Sequence, residues 1–386
     1  MDAVLFATAM AAAVSLLLTL VTDLSVLRVS RRRDYTGPTP GISVLKPLKG
    51  IDHGLYDNLA SLAAQDYPEF ELVLGAEDPG DPALKVAQQL RREFPAVRIK
   101  VVSGVLTSGL NPKVNNLISL ESYAKYDHML ISDSNVRVGP DYLRAMASEL
   151  RDPKVGLVSS VLCGARGESF GAKLDNLHLN NFISRAVCGA DVLVAHPCVI
   201  GKSMLLRLSQ LKELGGLASV CNVLAEDYVL GQKYQRAGFK VALSSYVVEA
   251  ISGPRSLKDF CARHVRWGQM RRRIAPALYF AEPLFSPLPF IVLGLLCLTF
   301  GAQSGIASRM ALLEFFGLGL VFKWLSDAHV MWRVRGERLH LAELPCWLCK
   351  DLMLLGIWGL GAVKRTVVWR GTVMRIGPGS ELFPST

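Results

Sequence analysis

The chain has 386 residues, enough for one large domain or two smaller ones. Of these 51% are hydrophobic, and a mean hydropathy of +0.30 excludes an ordinary soluble enzyme. The formal charge of +10 suits anionic lipid, an anionic substrate or nucleic acid, but no helix-turn-helix, finger or RRM pattern accompanies it, and nucleic acid is set aside. Eight cysteines are scattered without the spacing of a disulfide framework. The close pair Cys346 and Cys349 lies in an apolar run with no second pair at zinc-site spacing, so both read as packing thiols.

Ala3 to Thr22 is an uncharged run of about the 20 residues that a helix needs to cross a bilayer. Its arginines follow it rather than precede it, which argues against a cleaved signal. The positive-inside rule then keeps Arg28 and Arg31 to Arg33 in the cytoplasm. From Gly41 the pattern alternates between strand and helix: Ile42 to Leu48 strand, Gly54 to Gln65 helix, Glu71 to Ala76 strand, Pro82 to Phe94 helix, Val97 to Val102 strand, Lys113 to Ala124 helix, and His128 to Ser132 a buried strand that ends at Asp133. Such alternation predicts an α/β domain with a mostly parallel sheet, whose ligands lie beyond the carboxyl ends of the strands.

Further on, Ser169 to Ile183 and Ala225 to Ala237 read as helices, the second opening on Glu226 and Asp227 and stopping at Gly238. Ser256 to Leu278 is basic and amphipathic, as suits a helix lying in the membrane interface. Pro283 to Ser308 carries no charge and is expected to span. Met310 to Leu325, interrupted by Glu314 and Lys323, is a weaker span. Leu344 to Val363 holds Lys350 and Asp351 and lies between two basic stretches, Trp332 to His340 and the tail with Lys364, Arg365, Arg370 and Arg375. Both stretches are expected on the cytoplasmic side, so the segment between them reads as re-entrant or interfacial. The expected organisation is an anchor over 1–25, an α/β domain over 40–255, an interface helix over 256–282, membrane helices over 283–326, and the re-entrant segment with its tail over 344–386.

Four short features follow one another in the order that a nucleotide-sugar transferase needs: Asp78 in a Glu-Asp-Pro-Gly-Asp turn, Asp133-Ser-Asn at a strand end, Glu226-Asp227-Tyr at a helix start, and Arg263-His-Val-Arg266-Trp267. A strand-end Asp133 can hold a divalent cation that also meets a diphosphate; Asn135 offers a neutral amide oxygen where a second carboxylate would be ideal. Arg263 and Arg266 are three apart on one helix face, placed to meet the negative charge of a leaving diphosphate. His178 and His196 are weaker candidates for a base, since a lone histidine is more often structural.

The stretches SVLKPLKG, EDPGDPA, GLNPKVNNL, SDSNVRV, LAEDY and RHVRW resemble the ceramide glucosyltransferase family, a group similar to glycosyltransferase family 21, and related lipid-directed transferases. These share three aspartates and a (Gln/Arg)xxArgTrp signature on a GT-A fold. The resemblance implies donor contacts from Asp78, Lys113, Asp133, Arg263, Arg266 and Trp267, a Mg²⁺ or Mn²⁺ ion on Asp133 and Asn135, and Asp227 as general base. It further implies a UDP-sugar donor, a membrane lipid acceptor of the ceramide type, and a multi-pass membrane protein with its catalytic domain in the cytoplasm, in a bacterium at the inner membrane. Hopanoid-directed transferases are similar over the same region, which keeps a polycyclic lipid alcohol open as acceptor. A membrane transport or scaffold protein that merely binds nucleotide is the alternative of another class.

Overall fold

The computed structural model describes residues 2–31, 34–104, 107–194, 198–300, 306–369 and 372–384; Arg32, Arg33, His196 and Arg370 lie outside the described residues. In chain order the helices are α1 (Asp2–Val29), α2 (Leu55–Ala63), α3 (Pro82–Glu93), α4 (Pro112–Glu121), α5 (Tyr142–Ser148), α6 (Phe170–His178), α7 (Ser184–Val194), α8 (Leu208–Glu213), α9 (Glu226–Arg236), α10 (Leu257–Ile274), α11 (Pro276–Ala281), α12 (Pro287–Phe300), α13 (Ile306–Arg335) and α14 (Leu344–Val363). The strands are β1 (Ile42–Leu48), β2 (Phe70–Ala76), β3 (Arg98–Ser103), β4 (His128–Ser132), β5 (Val136–Arg137), β6 (Val155–Ala165), β7 (Ser203–Arg207), β8 (Lys240–Ile251), β9 (Thr366–Trp369), β10 (Thr372–Ile376) and β11 (Leu382–Pro384). They fall into two units. A helical one comprises Met1–Arg28, Glu168–Leu193 and Arg255–Arg365, and a sheet unit comprises Val29–Gly167, Val194–Pro254 and Thr366–Thr386.

The sheet unit is built on one eight-stranded sheet in the order β3-β2-β1-β4-β7-β6-β8-β5. Strands β3, β2, β1 and β4 are parallel, with Val44 paired to Leu72 on one side and to Leu130 on the other. The chain winds outward from β1 to β3 and then returns to β4 on the opposite side of β1. This is a topological switch point, the place where open α/β sheets bind ligands. Sequence patterning ends at β4, yet four more strands follow: β7 runs antiparallel between β4 and β6, β8 is parallel to β6, and β5 closes the edge antiparallel to β8. Strand β6 is buried along its whole length on both faces and so shows no alternation to read.

Two helices are set by their first turns. The Asp81 carboxylate accepts from the Ala83 N–H at 2.9 Å ahead of Pro82, and Asn111 Oδ1 accepts from the Lys113 and Val114 N–H groups ahead of Pro112. The capped α4 lays Val114, Leu117 and Leu120 on the core beside Leu45, Val73 and Ile131, and points its N-terminus at the strand ends.

The helical unit pairs its buried charges. The Arg185 guanidinium donates to Asp23 at 2.6 Å, to Asp327 at 2.5 Å and to Ser326 at 2.6 Å. Lys323 meets Asp327 and lies 3.4 Å from Asp351, Lys350 meets Asp351 at 2.7 Å, and the Trp347 indole donates to Asp327 at 2.6 Å. Three cations thus face three anions, which is how Lys350 and Asp351 are accommodated in an apolar helix. Ser169 to Ile183 is not one regular helix: a π-turn over Leu179–Ile183 joins α6 to α7. The uncharged stretch after Pro283 is broken as well, since Pro276–Phe285 and Pro287–Phe300 meet at 53°. Ala3–Val29 and Leu341–Val363 are each long and apolar enough to cross a membrane.

Candidate active site

The carboxyl end of β4 delivers Asp133 into a cluster of lysines. The Lys113 ammonium, carried by the capped first turn of α4, lies 3.0 Å from Asp133 Oδ1 and 2.9 Å from Glu226 Oε1, and donates to the Gly201 carbonyl at 3.0 Å. Lys202 Nζ lies 3.1 Å from Asp133 Oδ2 and 2.6 Å from Asn135 Oδ1. Lys46, wholly buried in β1, donates to the Val136 carbonyl at 3.1 Å and to Ser132 Oγ at 3.4 Å. Burial alone would raise the Asp133 pKa, but Lys113 and Lys202 outweigh it and hold the group ionised well below the usual carboxylate range. Burial also opposes charge on Lys113, yet Asp133, Glu226 and Asp227 keep it protonated above the usual lysine range. Lys46 has fewer compensating anions, and burial brings it down to about 7.

Asp227 sits in the first turn of α9, one residue past its start, and is not the helix cap, which is Ala225. Its Oδ2 accepts the Gly201 N–H at 2.6 Å and its Oδ1 the Tyr228 N–H at 2.8 Å. Gly201 therefore serves two candidate-site groups at once, its N–H holding Asp227 and its carbonyl holding Lys113. A Cβ there would lie 2.9 Å from both Asp227 Oδ2 and Lys113 Nζ, so a larger residue would push these two side-chain ends from their places. Burial, reinforced by the negative charge of Glu226, raises the Asp227 pKa to about 6 against the pull of Lys113 and the two N–H donors. Of the two adjacent carboxylates, Glu226 pairs with Lys113, while Asp227 accepts from backbone N–H groups.

Asn135 is fixed by the backbone of β8: its Nδ2 donates to the Ile251 carbonyl at 3.3 Å, which leaves Oδ1 for Lys202. An aspartate would have no proton for that carbonyl, which accounts for the amide at this position. Asp133 and Asn135 thus present two hard oxygens from a single turn. This partial set fits a Mg²⁺ or Mn²⁺ ion that takes its other ligands from a diphosphate and water. Among the described residues no three His, Cys, Asp or Glu side chains group to hold a metal by themselves.

Asp78 lies just past the carboxyl end of β2, the strand beside β1; it is exposed, and its Oδ1 accepts the Gly80 N–H at 2.8 Å. The structure thus brings Lys113, Asp133, Asn135 and Asp227 into one cluster, with Asp78 in a separate turn of the same sheet unit. Arg263, Arg266 and Trp267 belong to the helical unit. There the Arg263 guanidinium stacks 4.4 Å over the Trp267 ring and its Nε lies 3.6 Å from the buried Asp175 carboxylate, which His264 also meets at 2.8 Å. His178 is buried edge-on to His264, and burial drives its pKa well below the usual histidine value, which suits packing rather than proton transfer at neutral pH. Sequence reasoning missed Lys46, Lys202 and Gly201; a lysine within a strand buried on both faces was the signal for the first.

A switch-point sheet with a strand-end aspartate among lysines and a carboxylate at a helix start is the arrangement of a glycosyltransferase of the GT-A type. The fold is similar to that of the mannosyltransferase PcManGT from Pyrobaculum calidifontis in complex with GDP-Man and Mn²⁺, with a TM-score of 0.56 at 18% identity over 93% of this chain and 99% of that one. The family model described as glycosyl transferase family 21 matches residues 5–382, and the chain belongs to that family. Among curated relatives, ceramide glucosyltransferase 3 of Caenorhabditis elegans is 27% identical over 357 residues, covering 89% of this chain and 74% of the relative. The ceramide glucosyltransferase of Komagataella phaffii is 29% identical over 442 residues, covering 90% and 85%.

Proposed function

We propose that this glycosyltransferase moves glucose from a UDP-sugar to the primary hydroxyl of a ceramide-type membrane lipid with inversion at the anomeric carbon. The observation that carries the reading is Asp227: a half-buried carboxylate, raised to about 6 and anchored by the Gly201 N–H, is a general base matched to near-neutral pH. The hydroxyl oxygen attacks the anomeric carbon, its proton passes to Asp227, and the bond to the diphosphate breaks so that UDP departs with the electron pair. Lys113 and Lys202 offer positive charge where the leaving group gains negative charge. Asp78 is assigned to the uridine, and Arg263, Arg266 and Trp267 to the donor side. Asp133 and Asn135 would hold a divalent ion, which when bound neutralises the diphosphate. The nematode and yeast relatives named as ceramide glucosyltransferases support the lipid acceptor.

The test is transfer from radiolabelled UDP-glucose to ceramide by the full chain in lipid nanodiscs, with Asp227→Asn alongside. The expected result is glucosylceramide formation by the unsubstituted protein and a loss of at least about a hundredfold in turnover in the variant, with UDP binding retained. Transfer to a polycyclic lipid alcohol and none to ceramide would replace the acceptor, and near-normal turnover by Asp227→Asn would remove the base.

A further inference from the structure

Both oxygens assigned to a divalent ion are already bound to one side chain. Lys202 Nζ bridges Asp133 Oδ2 at 3.1 Å and Asn135 Oδ1 at 2.6 Å, while the other Asp133 oxygen is held by Lys113, itself fixed by Glu226 and the Gly201 carbonyl. The amide of Asn135 is oriented for this contact by the Ile251 carbonyl, so the bridge is held from both sides. Lys113 is shared between Asp133 and Glu226, so the Lys202 ammonium is the cation that sits on Asp133 Oδ2 and Asn135 Oδ1 together. Bringing a second cation of charge two to the same oxygens is opposed by Coulomb repulsion unless an anion arrives with it. A nucleoside diphosphate is such an anion.

We propose that Lys202 is the resident cation of this site. Its ammonium fills the metal seat while no nucleotide is bound and yields it when a nucleoside diphosphate brings compensating charge, so that the divalent ion binds productively only together with the nucleotide. The inference rests on the reading that Asp133 and Asn135 hold the ion. Lys202 is accordingly a positioning residue that sets the order of loading, and its side chain, once displaced, lies next to the diphosphate it made way for.

The experiment measures Mn²⁺ binding by electron paramagnetic resonance on the full chain in detergent, with and without UDP. The unsubstituted protein should bind Mn²⁺ weakly alone and more tightly with UDP. Lys202→Met, which keeps the length and removes the charge, should tighten Mn²⁺ binding in the absence of UDP by at least about tenfold and shrink the effect of UDP. Lys202→Arg keeps the charge and should stay within a few fold of the unsubstituted protein, which separates charge from folding damage. Unchanged or weaker Mn²⁺ binding by a folded Lys202→Met overturns the proposal. Asp133→Asn tells the two readings apart. If it leaves Mn²⁺ binding with UDP intact, the ion is not on Asp133 and the underlying assignment fails; if it abolishes binding while Lys202→Met changes nothing, only the role of Lys202 fails.

Discussion

Partial burial beside Glu226 raises the Asp227 pKa, and the absence of a side chain at Gly201 leaves room for its carboxylate. Two predictions follow from these facts. A base must be deprotonated to act, so kcat/KM should be full above about pH 7 and fall as pH drops through the Asp227 value of about 6, with Asp227→Asn lacking that limb. A profile flat from pH 7.5 to 4.5 in the unsubstituted enzyme would contradict this. Gly201→Ala places a methyl group against two charged side chains whose positions define the site. Turnover should fall by up to about a hundredfold through misplacement alone, while the far-UV circular dichroism and the thermal transition stay close to the original. An equally large loss of stability would show that Gly201 matters to folding rather than to geometry.

At the level of elements, α9 depends on a partner far along the chain. The Leu224 N–H donates to the Ser380 carbonyl at 2.9 Å, the Ala225 N–H to Ser380 Oγ at 3.0 Å and the Leu382 N–H to the Asn222 carbonyl at 2.7 Å, so the β10–β11 turn clasps the loop leading into Glu226 and Asp227. Ser380 is buried with φ at 60°, a left-handed conformation that disfavours side chains. Ser380→Ala keeps the strain and orphans a buried N–H, which should cost about 1–3 kcal/mol. Ser380→Gly loses the same hydrogen bond but relieves the strain, and should be the more stable of the two in thermal unfolding. The reverse order would mean that the turn is not strained.

This clasp also shows what the sequence could not reveal. Strands β1, β2 and β4, and with them the position of Asp133, were legible because buried parallel strands alternate with amphipathic helices. Lys202 and Gly201 were not, because they enter from the turn just ahead of antiparallel β7, Lys202 being 69 residues after Asp133, and no local pattern announces such pairing. Lys113 was assigned to the nucleotide from its motif, while its contacts with Asp133 and Glu226 required the fold.

For the whole molecule, contacts within the helical unit order its helices. The α12–α13 pair is an antiparallel hairpin: Arg309 donates to the Leu298 carbonyl, Phe316 packs at Gly294 and Gly319 lies against Ile291. Helix α13 runs parallel to α1, with Leu16 at Gly319 and Asp23 at Ser326. The end of α13 that leads into Trp332 to His340 therefore lies at the same end of the helical unit as the C-terminal end of α1. Helix α14 is apolar enough to cross too. Its start meets Lys323 and Asp327 in the second half of α13, and its far end meets Gly268 and Tyr279, which precede α12. The basic stretches on either side of α14 predict that both lie on one side of the membrane, with α14 re-entrant or interfacial between them. A cysteine introduced at Glu337 should react with an impermeant maleimide only from the side on which residues of the sheet unit react. Reaction from the opposite side would show that α14 crosses.

The clasp at Ser380 ties the loop ahead of Asp227 to a stretch made much later in synthesis. A ribosome making this chain releases Asp227 long before Ser380, and every helix from α10 to α14 emerges in between. Until that turn arrives, the loop ahead of Asp227 lacks its partners. A half-made chain therefore carries Asp227 with its bonds from Gly201 and Tyr228 but without the hydrogen bonds of Ser380 to the loop ahead of it. Such a product is expected to turn over an activated sugar more slowly than the chain with its clasp.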